Sequence, residues 1–205
     1  MWNEQIIMML LEGIKDTLYM TLTSTLIGYV IGLPMGILLT VTDKDGIHPN
    51  TAVYKVLDVI ANLIRSVPFL ILLIVLIPFT RFLIGRSYGP TATIVPLVIA
   101  AAPYIARMVE SSLKEVDAGV IEAARSMGAS NFTIVTKVML VEARTSLIVG
   151  ATISLGTILG YSAMAGTVGG GGLGDIAIRY GYTRWQTDIM IVTVILLVIL
   201  FQIFQ

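Results

Sequence analysis

The sequence contains no cysteine and a single histidine, and charged residues make up only 13% of its 205 positions. Without cysteine there is no disulfide framework and no thiolate chemistry, and one histidine does not supply the common catalytic triads. A soluble domain usually carries about 25% charged residues, so a surface this poor in charge cannot face water all round. These absences exclude cysteine-dependent classes of protein and indicate an integral membrane protein.

Signals for nucleic acids, nucleotides and metals are also missing. The formal net charge is zero, so no basic surface for DNA or RNA is indicated. Gly169, Gly171 and Gly174 spell G-x-G-x-x-G, but an apolar run precedes them and Val194 stands where an acidic residue would be needed. His48 lies in a polar loop without partner ligands at short spacing. We therefore expect no cofactor, no metal site, no catalytic residue and no enzymatic activity.

Long apolar runs dominate the chain, whose mean hydropathy is +0.90. A helix needs roughly 20 apolar residues to cross a bilayer. Five runs approach that length: 17–41, 66–80, 91–106, 145–168 and 189–204. They predict an all-α membrane protein with about five transmembrane helices over 17–205, after an amphipathic lead-in over 1–16. The last run stops at Gln205 with no basic flank, so we expect the sequence to be truncated there.

Three features within the runs bear on packing and on a pathway. Gly28, Gly32 and Gly36 share one helix face and predict close approach of another helix. Two prolines, at 96 and 103, predict a short, interrupted third span that could line a pathway. Arg65 either snorkels at the membrane edge or holds the mouth of a pathway, and the sequence favours neither.

The polar stretch 107–144 contains the most specific pattern. Asp117 and Ser130 are placed to cap two helices, and Gly128 to end the first in a left-handed conformation. The positions expected on one apolar face of the first helix are Val120, Ile121, Ala124 and Met127. Away from that face, Glu122 and Arg125 are spaced to pair at i, i+3.

The same stretch resembles the signature of permease subunits of ATP-binding-cassette (ABC) importers. That signature reads Glu-Ala-Ala, three residues, Gly, nine residues, then Ile-x-Leu-Pro. The chain matches it at Glu122-Ala123-Ala124, Gly128 and Leu140. Val138 replaces the isoleucine, and Val141 replaces the proline, a change that affects how the second helix is entered or bent.

Other segments are similar to the methionine-importer subfamily of these permeases. They are Arg65-Ser66-Val67-Pro68-Phe69, Ala101 to Glu110, Gly160 to Gly166, and Gly171 to Gly174 with Tyr180-Gly181-Tyr182. Within them we single out Tyr161, Ser162 and Met164, together with Arg65, as candidate pathway or gate residues. Ten methionines are not evidence for a methionine site, because methionine is ordinarily a flexible gap-filler.

The resemblance implies a type I ABC importer permease fold and a multi-pass subunit of the bacterial inner membrane. It implies a homodimer, two cytoplasmic ATPase subunits that hydrolyse ATP, and an extracytoplasmic methionine-binding protein. Loop 107–144 is then the cytoplasmic coupling loop. Its expected ATPase-coupling residues are Glu122, Ala123, Ala124, Arg125, Met127 and Gly128.

Two alternatives remain open from the residues alone. A permease for another amino acid or small solute would share the same coupling signature. A self-sufficient secondary transporter would place coupling-ion carboxylates inside the spans, whereas the acidic residues lie almost wholly outside them.

Overall fold

The computed structural model describes residues 4–204. The first three residues of the predicted lead-in and the expected truncation at Gln205 therefore lie outside the described residues. Within residues 4–204 the protein is helical and contains no strand. This confirms the predicted all-α class.

The chain forms eleven α-helices in this range, with π-helical segments at Ile134–Met139 and Ala177–Tyr182 and a short 3₁₀ turn at Gly166–Val168. The helices are α1 (Glu4–Thr42), α2 (Thr51–Ser66), α3 (Phe69–Val75), α4 (Ile77–Ile84), α5 (Pro90–Lys114), α6 (Ala118–Ser126), α7 (Asn131–Thr133), α8 (Leu140–Glu142), α9 (Arg144–Ala165), α10 (Gly172–Ile176) and α11 (Thr187–Phe204).

Four helical segments between residues 4 and 204 are long and apolar enough to cross a membrane. They are α1, α5, the 39 residues Arg144–Tyr182, and α11. Helices α2 and α3 pass the same criterion only together, across a break at Val67 and Pro68, and then give a fifth span. Four spans, or five if α2 and α3 form one span bent by 102°, agree with the predicted count of about five, but the run 66–80 is not a single helix.

Two other boundaries differ from the sequence-based expectation. Residues 4–16 are the first part of α1 rather than a separate element, although their buried positions do follow helical periodicity. The predicted interruption of the third span is wrong, because α5 continues through Pro96 and Pro103 for 25 residues. Its apolar window is 72% buried, and prolines are tolerated where a membrane helix is enclosed by protein that can satisfy the freed carbonyls.

The chain divides into two compact units, and each is described separately. The first unit comprises residues 1–27, 67–100 and 155–205. Its core gathers six buried apolar side chains: Leu10, Leu159, Leu173, Ile176, Ile189 and Leu200. The Thr17 hydroxyl donates to the Gly13 carbonyl (2.8 Å) and accepts from the Leu173 N–H (2.9 Å), which fastens the glycine-rich segment to α1.

The second unit comprises residues 28–66 and 101–154. In it, α1 and α5 approach closely along the predicted glycine face. A Cβ placed on Gly32 would lie 2.6 Å from the Ala102 carbonyl oxygen, and one on Gly36 would lie 2.5 Å from that of Ala106. Small residues allow this approach because nothing separates the two backbones. The prediction from the glycine spacing is confirmed, and the partner is another helix of the same chain.

This contact predicts the effect of adding one methyl group. Gly32→Ala should destabilise the protein by about 1–3 kcal/mol, as overpacking of a tight contact does, and lower its thermal midpoint in detergent. Gly160→Ala is the matched control, since a Cβ there meets no atom within 4 Å and helix propensity favours alanine by up to about 1 kcal/mol. Equal midpoints for the two variants would show that the α1–α5 approach is looser than described.

Candidate functional site

The hairpin of α6 and α7 is built by its terminal residues. The Asp117 carboxylate accepts a hydrogen bond from the Gly119 N–H at 2.7 Å and caps α6. At the other end, the Ala129 N–H donates to the Ala124 carbonyl and the Gly128 N–H to that of Arg125, at 3.1 and 2.9 Å. This is the Schellman pattern, and it places Gly128 at a φ of +82°. The predicted left-handed glycine cap is confirmed.

The second helix of the hairpin begins as the sequence predicts. The Ser130 hydroxyl accepts from the Thr133 N–H at 3.2 Å and caps α7. The helix then passes through the π-helical turn at Ile134–Met139 before reaching Val141, where the family signature has proline.

The apolar residues of α6 lie on two faces, which corrects the single face expected. Ala124 is buried and Ile121 is half-buried, and α6 packs on the π-helical segment Ile134–Met139. The other face does not pack on the hairpin and is exposed, although its Val120 also lines a cavity with Val116 and Glu142. Val120 is 41% exposed, Met127 is 82% exposed, and Ala123 between them is also exposed. We call Val120, Ala123 and Met127 the outward stripe.

Two findings in the hairpin were not expected from the sequence. Phe132 in α7 is 78% exposed, and the only signal for this was an aromatic residue just after a helix cap. Arg125 does not pair with Glu122; its Nη2 instead donates to the Ile47 carbonyl at 2.8 Å, in the turn between α1 and α2. Glu122 remains exposed on α6.

A cavity of about 480 Å³ lies between α6 and the α1–α2 turn. Its lining includes Asp45, Ile47, Ala118, Glu122 and Arg125. The Arg125–Ile47 hydrogen bond therefore joins α6 to the turn at a place where the two are not packed tightly together.

Five charged side chains form a second feature of this unit, which we call the charge ladder. In order they are Asp58, Arg107, Glu110, Lys114 and Asp43. Arg107 binds the Asp58 carboxylate and donates to Glu110 at 2.7 Å. Lys114 binds Glu110 at 2.8 Å and Asp43 at 2.5 Å. The sequence-based prediction put Arg107, Glu110 and Lys114 in the coupling loop 107–144 and gave them no individual role. The structure corrects that boundary, because α5 continues to Lys114 and the 107, 110, 114 spacing places the three on one face of this helix.

The Lys114–Asp43 pair of the ladder has a defined dependence on pH. The hydrogen bond from Lys114 lowers the pKa of Asp43 from its usual 3.8, outside the spans. Because that pKa is lowered on folding, the pair adds stability that is fully present above pH 3.8 and is lost as the pH falls through the lower value. Near neutrality Asp43 is ionised, so this pair is not a switch there.

The candidate pathway residues lie in different surroundings. Arg65 is exposed in the last turn of α2, in the second unit. In the first unit, the Tyr161 ring stacks on Phe69 with centroids 4.4 Å apart, and Met164 is 51% exposed. Ser162 is 1% exposed, and its hydroxyl donates to the Leu159 carbonyl. Ser162 therefore does not present a free polar group to a pathway, whereas Tyr161 and Met164, three residues apart, share one face of α9.

No group of three or more His, Asp or Glu side chains between residues 4 and 204 is arranged to hold a metal ion. What the unit does offer is a rigid, capped hairpin with an apolar outer face on a helical membrane protein. Such a surface is suited to docking into a groove on another protein.

Comparison with known proteins identifies the class. The family described as the binding-protein-dependent transport system inner membrane component matches residues 14–205. The chain belongs to this family, the membrane-spanning permease subunits of ABC importers.

Curated relatives narrow the similarity. The probable D-methionine transport system permease protein MetI of Vibrio cholerae is 48% identical over 197 residues, which cover 96% of this chain and 88% of the relative. The D-methionine transport system permease protein MetI of Escherichia coli K12 is 50% identical over 164 residues, covering 80% of this chain and 76% of the relative.

Solved structures agree with this. A chain of the MetNI methionine ABC transporter in an inward-facing conformation superimposes with a TM-score of 0.97 at 48% identity, covering 100% of this chain and 94% of that one. A chain of an amino acid ABC transporter solved with histidines has a TM-score of 0.80 at 22% identity and covers 98% of this chain and 91% of that one, which shows a shared fold.

The geometry at Gly128 predicts that backbone conformation, not side-chain volume, limits this position. A Cβ there meets no atom within 4 Å, yet φ is +82°. A left-handed conformation costs a non-glycine residue about 1–2 kcal/mol, so Gly128→Val should increase trypsin cleavage after Arg125 roughly 5- to 30-fold by opening the hairpin. Gly128→Asn, which tolerates this conformation, should be cleaved nearly as slowly as the parent. Equal cleavage of both variants would contradict this account.

Proposed function

We propose that the chain is the permease subunit of an ATP-driven methionine importer of the bacterial inner membrane. Two copies form the translocation pathway and alternate its access between the two sides. Two cytoplasmic ATPase subunits supply the energy, and an extracytoplasmic binding protein delivers D- or L-methionine. The permease itself catalyses no reaction.

The observation that carries this proposal is the outward stripe on α6. Exposed apolar side chains on a capped, rigid hairpin are costly in water and are stabilised when a partner covers them. The stripe contains Ala123 from the family signature and Met127 from the three unspecified residues before its glycine, and Glu122 flanks it. Ala124, by contrast, is buried against the hairpin, so its role is to set the position of α6 rather than to touch the ATPase.

Membership of the family supports ATP-driven import, and the MetI relatives support methionine as the substrate. With Arg65 left out, the predicted five-span topology places seven lysine and arginine residues on the hairpin side and five on the other side. This excess favours a cytoplasmic location for the hairpin. Tyr161 and Met164 are the pathway candidates that this structure favours, because both have accessible surface and Ser162 does not.

The proposal is tested by reconstitution. The chain, an ATPase subunit and a methionine-binding protein in proteoliposomes should take up labelled methionine when ATP is supplied, and the chain alone should not. Competition with other unlabelled amino acids then distinguishes a methionine permease from one for another solute. Uptake by the chain alone would favour the secondary transporter instead.

Docking is tested separately. Met127→Asp places a charge in the outward stripe and should reduce ATPase co-purification about tenfold or more, as loss of a central interface residue does. Lys137→Asp is the control, since this exposed residue lies on the π-helical segment and outside the stripe. Equal co-purification of the Met127→Asp variant and the parent would show that the ATPase docks elsewhere.

A further inference from the structure

We propose that Arg125 is a positioning residue that fastens the α6 hairpin to the α1–α2 turn, and that the charge ladder fastens this turn to α5 and α2. A displacement of α6 is thereby passed to α2. This inference rests on the proposed function, since it concerns how ATPase movement reaches the permease. It changes the expected role of Arg125 from contacting the ATPase to holding the permease together.

Two of the attachments of α6 within the second unit differ in kind. One is apolar: Ala124 is buried where α6 packs on the π-helical segment, whose Ile134 and Met139 are also buried. That segment belongs to the same hairpin. The other is the Arg125–Ile47 hydrogen bond at 2.8 Å, which crosses to the turn beside the 480 Å³ cavity. If Arg125 is removed, the contacts that hold α6 come largely from its own hairpin, and its hydrogen bond to the α1–α2 turn is lost.

Backbone hydrogen bonds hold the α1–α2 turn in one conformation, so a displacement of α6 can be transmitted through it. The His48 N–H donates to the Val41 carbonyl and the Asn50 N–H to the Thr42 carbonyl, both at 3.0 Å. Ile47 is 8% exposed. Asn50 also accepts from the Val53 N–H at 3.2 Å and so begins α2. The acceptor of the Arg125 hydrogen bond is therefore part of the same bonded turn that starts α2.

The charge ladder joins this turn to two helices. Asp43 at its start is held by Lys114 at the end of α5, and Lys114 shares Glu110 with Arg107. Arg107 reaches across to Asp58 and to the Asn62 side chain of α2, the latter at 2.9 Å. Glu110 at the centre is 5% exposed. Charge-assisted hydrogen bonds at this depth are strong, because little water competes for them.

Arg125 and the outward stripe therefore have separate functions on one short helix. The stripe is exposed, whereas the Arg125 guanidinium reaches the permease's own backbone. The path runs from α6 to the turn and on to α2, which ends at Ser66 just before the break at Val67 and Pro68.

The experiment measures coupling in the reconstituted complex of permease, ATPase and binding protein. Arg125→Ala should leave ATPase co-purification and ATP hydrolysis close to the parent values but lower the methionine imported per ATP by about tenfold, within the range of coupling mutations. Arg125→Lys should give a ratio of methionine imported per ATP between those of Arg125→Ala and the parent, because an ammonium can still donate a hydrogen bond to a single carbonyl. Arg144→Ala is the control, since Arg144 is exposed at the start of α9 and forms no ion pair within the described range.

A cross-link provides the second arm. The chain has no cysteine, so Asp45→Cys with Ala118→Cys introduces the only two thiols of each permease copy, both on the cavity between the turn and α6. A bifunctional maleimide should restore the import-to-hydrolysis ratio in the Arg125→Ala background and leave it unchanged in the parent background.

The outcomes separate the two proposals. Loss of ATPase co-purification in Arg125→Ala with an unchanged import-to-hydrolysis ratio would show that Arg125 contacts the ATPase and would overturn this inference. A parent complex that the cross-link inhibits would also overturn it, because the turn and α6 would then move relative to each other. An unmodified parent that never co-purifies with an ATPase would instead reject the proposed function.

Discussion

The constraint on which this structure depends is that a membrane-spanning chain has to satisfy its polar groups internally. Lipid offers no hydrogen bonds, so each buried hydroxyl, amide or charge requires a partner within the protein. Thr25, Thr40, Ser154 and Thr193 on the long helices meet this requirement by donating to the carbonyl four residues earlier. The buried Thr21 and Ser24 hydroxyls of α1 are exceptions. Charges meet it in groups, and the largest ion-paired group among residues 4–204 is the ladder at the end of α5.

The same constraint explains why α1 and α5 lie so close in the second unit. With no hydrophobic gain from joining two helices in lipid, packing has to come from close backbone contact, and glycine permits the closest approach. Gly32 and Gly36 supply that contact. The Lys114–Asp43 pair of the ladder lies about two turns beyond Gly36, where Asp43 follows the end of α1 and Lys114 ends α5. The close backbone contact between α1 and α5 is thus followed, at the ends of the same two helices, by the Lys114–Asp43 ion pair.

The features that the sequence predicted are those fixed by neighbouring residues. Caps at Asp117 and Ser130 and the left-handed Gly128 follow from local chemistry, and each was correct. Features that depend on distant partners were not predictable. The unbroken α5 needs the burial that surrounds it, and the Arg125 bond needs a turn 78 residues earlier in the chain. Periodicity grouped Val120 and Met127 with Ala124, but it could not show which of them the hairpin would bury.

The outward stripe and Arg125 are suited to different roles because their chemistry differs. An apolar stripe can bind a partner and release it, because its affinity depends on area and fit and it leaves no buried charge unpaired when the partner leaves. A guanidinium bonded to a backbone carbonyl is directional and resists sliding, so it is better suited to a joint inside the subunit. In the proposed function, an exposed stripe and an internal hydrogen bond on one nine-residue helix would let that helix receive movement from a partner and pass it to the spans. Gly128, at the end of α6, forms the turn that fixes the orientation of this helix relative to the second helix of the hairpin.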